Sequence, residues 1–168
     1  MFLVDTNVLV HAADRSSPFH DPCQAALAHW EGHASHWFVT WSIVYEYVRV
    51  VTHPRVIRPP QRALAAWETV DRVLASPGLM VLKETHRHSA VAAEVLREVP
   101  DVAGNFVHDA HIAILMREHG VRRIYTRDVA FRRFPFLEVI DPVAEASAGG
   151  VHERPARYRP TAKRRARR

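Results

Sequence analysis

Short apolar runs of strand length alternate along this chain with longer stretches of helical spacing, and that alternation restricts the fold more than any other feature. Residues 2–5, 37–40, 79–82, 123–126 and 137–140 each combine aliphatic, aromatic or β-branched side chains and read as strands. Between them, residues 6–13, 20–31, 42–51, 61–75, 85–99 and 106–119 carry helical spacing, with Ser42 and Asn105 placed to cap two of the helices and Gly120 to stop the last. Strands joined through helices are parallel neighbours, because a parallel pair needs a long crossover. The expected domain is therefore α/β, with a mainly parallel central sheet of about five strands flanked by helices. In such a sheet the ligand crevice lies beyond the C-terminal ends of the strands.

The 168 residues suffice for one domain with a real core, and an apolar content of 48% argues against wholesale disorder. Cys23 is the single cysteine, so neither an internal disulfide nor a thiolate metal cluster is available, which fits a reducing, cytoplasmic setting. The N-terminus lacks the basic leader of a signal peptide, and no run approaches the roughly 20 apolar residues of a membrane span. The isoelectric point near 10.0 belongs to one end of the chain. From residue 149 onward eight Lys or Arg accompany one acid, a net +7, whereas residues 1–148 hold 15 basic and 17 acidic side chains, a net −2. These counts divide the chain into a domain over 1–145 and a basic tail over 146–168. With its prolines and few apolar residues, the tail is expected to be disordered, acting as a solubilising end or as a sequence-blind hold on polyanions.

Four acids stand where a fold has reason to avoid them. Asp5 and Asp128 fall at or just past the ends of two predicted strands, Glu46 lies in a largely apolar helix, and Asp109 sits in the first turn of another. A carboxylate in such a place costs free energy unless it is paired or holds a cation. Hard oxygen donors with no Cys and no required His point to Mg2+ or Mn2+. Chemistry that gathers carboxylates around such ions is commonly phosphoryl transfer. Asn7 and Thr126 are placed to orient the ligands.

The order Asp5-Thr6-Asn7 after the first strand, Glu46 in an early helix, the run from Asn105 to Ala113 around Asp109, and Thr126-Arg127-Asp128-Val129-Ala130-Phe131 resembles the PIN-domain family. Small stand-alone chains of this pattern resemble VapC toxins of type II toxin–antitoxin systems. The resemblance covers about residues 1–142. It implies a PIN-like three-layer fold and a metal-dependent endoribonuclease leaving 5′-phosphate and 3′-hydroxyl ends. It further implies Asp5, Glu46, Asp109 and Asp128 as both catalytic and metal-binding acids, with Asn7 and Thr126 in support and Mg2+ (or Mn2+) as cofactor. The implied partners are an RNA substrate, a cognate VapB-like antitoxin that occupies the groove, and a second copy of the chain. Arg127, Arg132 and Arg133 would offset the repulsion between a negative body and RNA.

Plainer roles stand beside each of these. Asp5 suits a helix N-cap, Glu46 an ion pair with Arg49 or Arg15, Asp109 a helix dipole, and Asp128 a turn. His29, His33 and His36 suggest a zinc face, but Gly32 interrupts it and no Cys joins it. His108 and His111 flank Asp109, yet a packing or surface role outranks substrate contact for both. Trp30, Trp37, Trp41 and Trp67 read as core or dimer packing ahead of base stacking. The alternative functions are an RNA-processing nuclease without an antitoxin and a non-catalytic binding domain. A phosphatase using Asp5 as nucleophile would need a second Asp at position 7, where Asn7 stands.

Overall fold

The computed structural model describes residues 1–32 and 36–149. Five strands form one wholly parallel sheet in the order β3-β2-β1-β4-β5, with β1 Phe2–Val4, β2 Trp37–Thr40, β3 Leu79–Leu82, β4 Arg123–Tyr125 and β5 Glu138–Ile140. The helices are α1 Thr6–Ala13, α2 His20–Gly32, α3 Trp41–Val51, α4 Ala63–Leu74, α5 His88–Glu98, α6 Phe106–Glu118 and α7 Pro142–Gly149, with a 3-10 turn over Val129–Arg133. The α/β class, the parallel sheet and its strand number are as the alternating pattern requires.

The chain runs outward from β1 through β2 to β3, then returns to add β4 and β5 on the other side of β1. Connections thus leave β1 and β4 in opposite directions, opening a crevice between their C-terminal ends. All residues of β1 and β2 are buried, as befits inner strands covered on both faces. Leu3, Val4, Trp37, Ile43, Leu115, Met116, Ile124, Phe131 and Phe134 lie at the centre of the core. Trp30 packs among Phe2, Tyr125 and Trp37, its ring centroid 5.1, 4.6 and 6.3 Å from theirs.

Several element ends differ from expectation. Thr40, not Ser42, caps α3: its hydroxyl accepts from the Ile43 N–H at 3.2 Å, and Ser42 lies within the first turn. Asn105 has helical backbone angles and its side chain makes no capping bond, because the turn at Gly104 (φ +56°) already redirects the chain. Helix α4 starts at Ala63, and α5 starts at His88, with Thr85 bonded instead to Glu118. Gly120 does end α6: at φ +68° it lets the Val121 N–H reach the Met116 carbonyl at 2.9 Å. Helix α7 crosses the 145/146 boundary drawn from charge, and the tail from residue 150 lies outside the described residues.

Candidate active site

The crevice between β1 and β4 is closed at its floor by a hydrogen-bonded knot that joins residues about 120 positions apart. Asp5 leaves β1 as the N-cap of α1, its Oδ1 accepting from the Thr6 N–H at 2.7 Å. Its Oδ2 accepts from Asn7 Nδ2 at 2.6 Å and from the Thr126 hydroxyl at 2.6 Å. The Thr126 oxygen in turn accepts from Asn7 Nδ2 at 2.8 Å and from the Asp128 N–H at 2.9 Å. Asn7 Oδ1 accepts from the Arg127 N–H at 3.1 Å. Asn7 and Thr126 thus fix one carboxylate and the backbone leading to another. Both the capping role and the convergent role of Asp5 exist in the same side chain.

Glu46 comes from α3, where Oε2 accepts the Thr6 hydroxyl at 3.1 Å and Oε1 the Arg49 guanidinium at 2.9 Å. Arg49 is the partner in that ion pair, not Arg15. The Thr6 contact went unread in the sequence, since nothing local in a hydroxyl at position 6 announces a partner 40 residues on. Asp128 caps the 3-10 turn, accepting from the Ala130 N–H at 2.8 Å, which anchors one oxygen and leaves the other toward solvent. Three residues later Phe131 is buried and secures the turn to the core.

The electrostatics tie Asp109 to the same place. Burial pushes the Asp5 carboxyl up to about 7, against the hydrogen bonds from Thr126 and Thr6, with repulsion from Asp109 and Glu46 adding to the rise. Asp109 is pushed up to about 6, by burial first and then by the charges of Asp128 and Glu46, with His108 opposing. Each of the four acids therefore feels at least one of the others. Among the described residues no three His, Cys, Asp or Glu side chains stand ready-made around one ion. Both oxygens of Asp5 and of Glu46, and one of Asp128, are engaged by neighbours. Lone pairs remain on all four, and clustered carboxylates that repel one another are a donor set that suits a hard divalent cation.

The remaining candidate groups divide between the site's margin and positions away from it. His111 turns to Glu84, Nε2 to Oε1 at 3.1 Å, while His108 is exposed beside Asp109. His29 and His36 are exposed and are not brought into a metal group, and His33 lies outside the described residues. Of the three arginines, Arg127 lies 3.4 Å over the Phe19 ring and Arg133 lies 3.8 Å over Phe106 while pairing with Asp101. Arg132 is exposed and lines a small recess with Thr126 and Asp128. A larger cavity of about 590 Å³ opens between α1, α2, α3 and α4, is mostly apolar, and contains none of the four acids.

A family model described as PIN domain matches residues 2–137. The chain is 33% identical over 138 residues to Ribonuclease VapC48 of Mycobacterium tuberculosis, covering 82% of this chain and 94% of that one. It is 31% identical over 143 residues to Ribonuclease VapC43 of the same organism, covering 85% and 96%. Among solved structures, VapC20 of Mycobacterium tuberculosis, described as a sarcin–ricin loop cleaving toxin, superposes with a TM-score of 0.58 at 20% identity, covering 84% of this chain and all of that one. VapBC2 of Rickettsia felis, bound to a DNA fragment from its promoter, gives 0.58 at 15% identity, covering 83% and 96%. Matched from β1 nearly to β5, and one-third identical to a relative over almost all of that relative's length, this chain belongs to the PIN-domain family.

Proposed function

We propose that this protein is a metal-dependent endoribonuclease and the toxin of a toxin–antitoxin pair. The observation that carries the reading is the electrostatic coupling among Asp5, Glu46, Asp109 and Asp128, in which burial first and neighbouring acids second drive the carboxyls of Asp5 and Asp109 upward. The names of the relatives, ribonucleases in each case, support RNA as substrate. The VapBC assembly among the fold neighbours supports an antitoxin partner. No helix among the described residues is long and apolar enough to cross a membrane.

In this reading Asp5, Glu46, Asp109 and Asp128 hold Mg2+ or Mn2+, which when bound supplies charge neutralisation at the phosphate and a more acidic water. Thr6, Asn7 and Thr126 keep the Asp5 and Glu46 oxygens aimed, so little reorganisation is left for the reaction itself. A water oxygen attacks phosphorus and one of the carboxylates takes its proton. The bond to the 3′-oxygen breaks in line and that oxygen takes a proton from solvent, leaving a 5′-phosphate and a 3′-hydroxyl. The test is cleavage of RNA by the purified chain with Mn2+ or Mg2+, with EDTA, and with Asp5→Asn. Cleavage that survives EDTA or Asp5→Asn would refute the site. For the pairing, growth arrest on induction should be relieved by co-expressing a small adjacent gene, and arrest that no neighbour relieves removes the toxin assignment.

A further inference from the structure

The four tryptophans do not share one fate. Trp30 and Trp37 are in the core, Trp67 is half-buried, and Trp41 is 38% exposed although only four residues from Trp37. The difference is structural. Trp37 opens an inner strand, whereas Trp41 is the first residue of α3 and projects where that strand ends. One helical turn on, Tyr45 is 62% exposed, its ring centroid 6.3 Å from Trp41 and 5.9 Å from Trp67 on α4. Another turn on, Arg49 is 68% exposed and holds Glu46. Trp41, Tyr45 and Arg49 thus line one face of α3 over about 12 Å, next to the row that carries Glu46.

The ladder begins at the edge of the sheet where the strands end. The parallel register that sets Leu3 beside Phe38 brings the end of β2, and so Trp41, alongside the end of β1, where Asp5 stands. We infer that Trp41, Tyr45 and Trp67 form a stacking platform for unpaired bases of the substrate strand, with Arg49 facing its phosphates. The inference rests on the ribonuclease reading and names the form of RNA that the site takes. Rings offer every base a π-face regardless of sequence, and a cation beside them follows the backbone, which is how single strands are gripped. A protein interface suits this face less well. It would have to desolvate the Arg49–Glu46 pair at the edge of the ladder, while a nucleic-acid strand leaves that pair wet and uses its positive member.

The test measures binding of a short single-stranded oligoribonucleotide to the full chain in EDTA, so that no strand is cut, through quenching of tryptophan fluorescence. A matched strand with abasic sugars supplies the same phosphates without rings. Trp41→Ala and Tyr45→Ala should each weaken binding of the intact strand roughly 5- to 150-fold, and Trp41→Phe should keep most of it. The abasic strand should bind weakly and take no notice of the substitutions. Should Trp41→Ala fail to fold, Tyr45→Ala and Tyr45→Phe carry the same comparison, since that ring is the more exposed. Equal binding of intact and abasic strands, or Ala variants that bind as the wild type does, would overturn the platform. So would a dimer that Trp41→Ala separates into monomers with unchanged RNA affinity, which assigns the face to a second copy. Cleavage by the wild-type chain with Mn2+ is read separately. A strand bound through the rings but never cut removes the ribonuclease reading alone, and cutting with ring-independent affinity removes the platform alone.

Discussion

Asp5→Asn should make the metal-free protein more stable while abolishing its activity, and the structure sets the size of the gain. Asp5 is 6% exposed, and its carboxyl is held near 7 in the fold against 3.8 in the unfolded chain. A raised folded value means that the native state favours the protonated form. The associated stability is full below pH 3.8 and is lost as pH rises through 7. The complete loss is about 4 kcal/mol, of which about 3 kcal/mol falls between pH 5 and pH 8. Asparagine is neutral throughout and avoids that loss. It also gives up acceptors: an amide nitrogen in place of Oδ2 cannot accept from Asn7 or Thr126, at about 1 kcal/mol for each bond forfeited. The balance at pH 8 in EDTA is a gain of about 2 kcal/mol, or a melting temperature higher by roughly 4–8 °C for a chain of this size.

Thermal denaturation followed by circular dichroism, for both proteins at pH 5 and pH 8, checks this directly. Other titrating groups are common to the two proteins and cancel in the difference. The gap should be open at pH 8 and nearly closed at pH 5, where the wild-type carboxyl is protonated in the fold. Adding Mn2+ at pH 8 should raise the wild-type melting temperature and leave the variant almost unmoved, because cation binding to the native state alone stabilises it. If Asp5→Asn melts lower than wild type at pH 8, Asp5 is chiefly a cap and a hydrogen-bond acceptor, and the reasoning from uncompensated charge is wrong.

Thr126→Val keeps the shape of the side chain but strands Asp5, Asn7 and the Asp128 N–H, and should lower stability by about 1–3 kcal/mol in chemical denaturation along with a loss of cleavage. Thr6→Val frees Glu46 from α1, so metal affinity measured by calorimetry should fall roughly 10- to 100-fold with little change in melting temperature. Burial alone would raise Glu118, yet bonds from Thr85 and His88 hold it below its usual range. Its contribution is present above the unfolded value and lost as pH falls through the folded one, so Glu118→Gln should flatten the acid limb of a stability–pH curve below about pH 4.5. Phe131→Ala, at a side chain 1% exposed beneath the Asp128 turn, should destabilise by about 3–5 kcal/mol and reduce activity by loosening that turn.

Patterns that repeat locally were legible in the sequence. Strand-length apolar runs gave the sheet, Gly120 gave the end of α6, and the Asp-Thr-Asn and Thr-Arg-Asp frames gave the two strand ends that meet. Long-range partnerships were not, because a side chain's nearest spatial neighbour is absent from its local frame. Thr6 reaching Glu46, Arg127 lying over Phe19, and Arg133 lying over Phe106 are all of this kind. At Thr40 and Ser42 two good caps stand nearly side by side, and the sequence gives no ground for choosing. The choice falls to Thr40 because its backbone is still extended (φ −117°) while Ser42 is already inside the helix. Helix α7 did leave a signal that charge counting hid. Asp141 caps it through the Val143 N–H at 2.9 Å, and Pro142 occupies the first helical position, where its missing N–H costs nothing.

The same bonds that aim the site also explain why it is expensive to keep. Thr6, Asn7 and Thr126 hold the Asp5 oxygens away from bulk water, so the carboxyl cannot relieve its repulsion from Asp109 and Glu46 by rotating outward. A looser arrangement would be more stable without a cation and would have to reorganise to bind one. Fixing Asp5 in advance moves that reorganisation into folding, where the large core packed around β1 and β4 absorbs it. Metal affinity and metal-free instability are then two readings of one geometry. Removing the Asp5 charge should lower metal affinity while restoring metal-free stability, and substitutions in α4 or α5, remote from it, should change stability without that coupling.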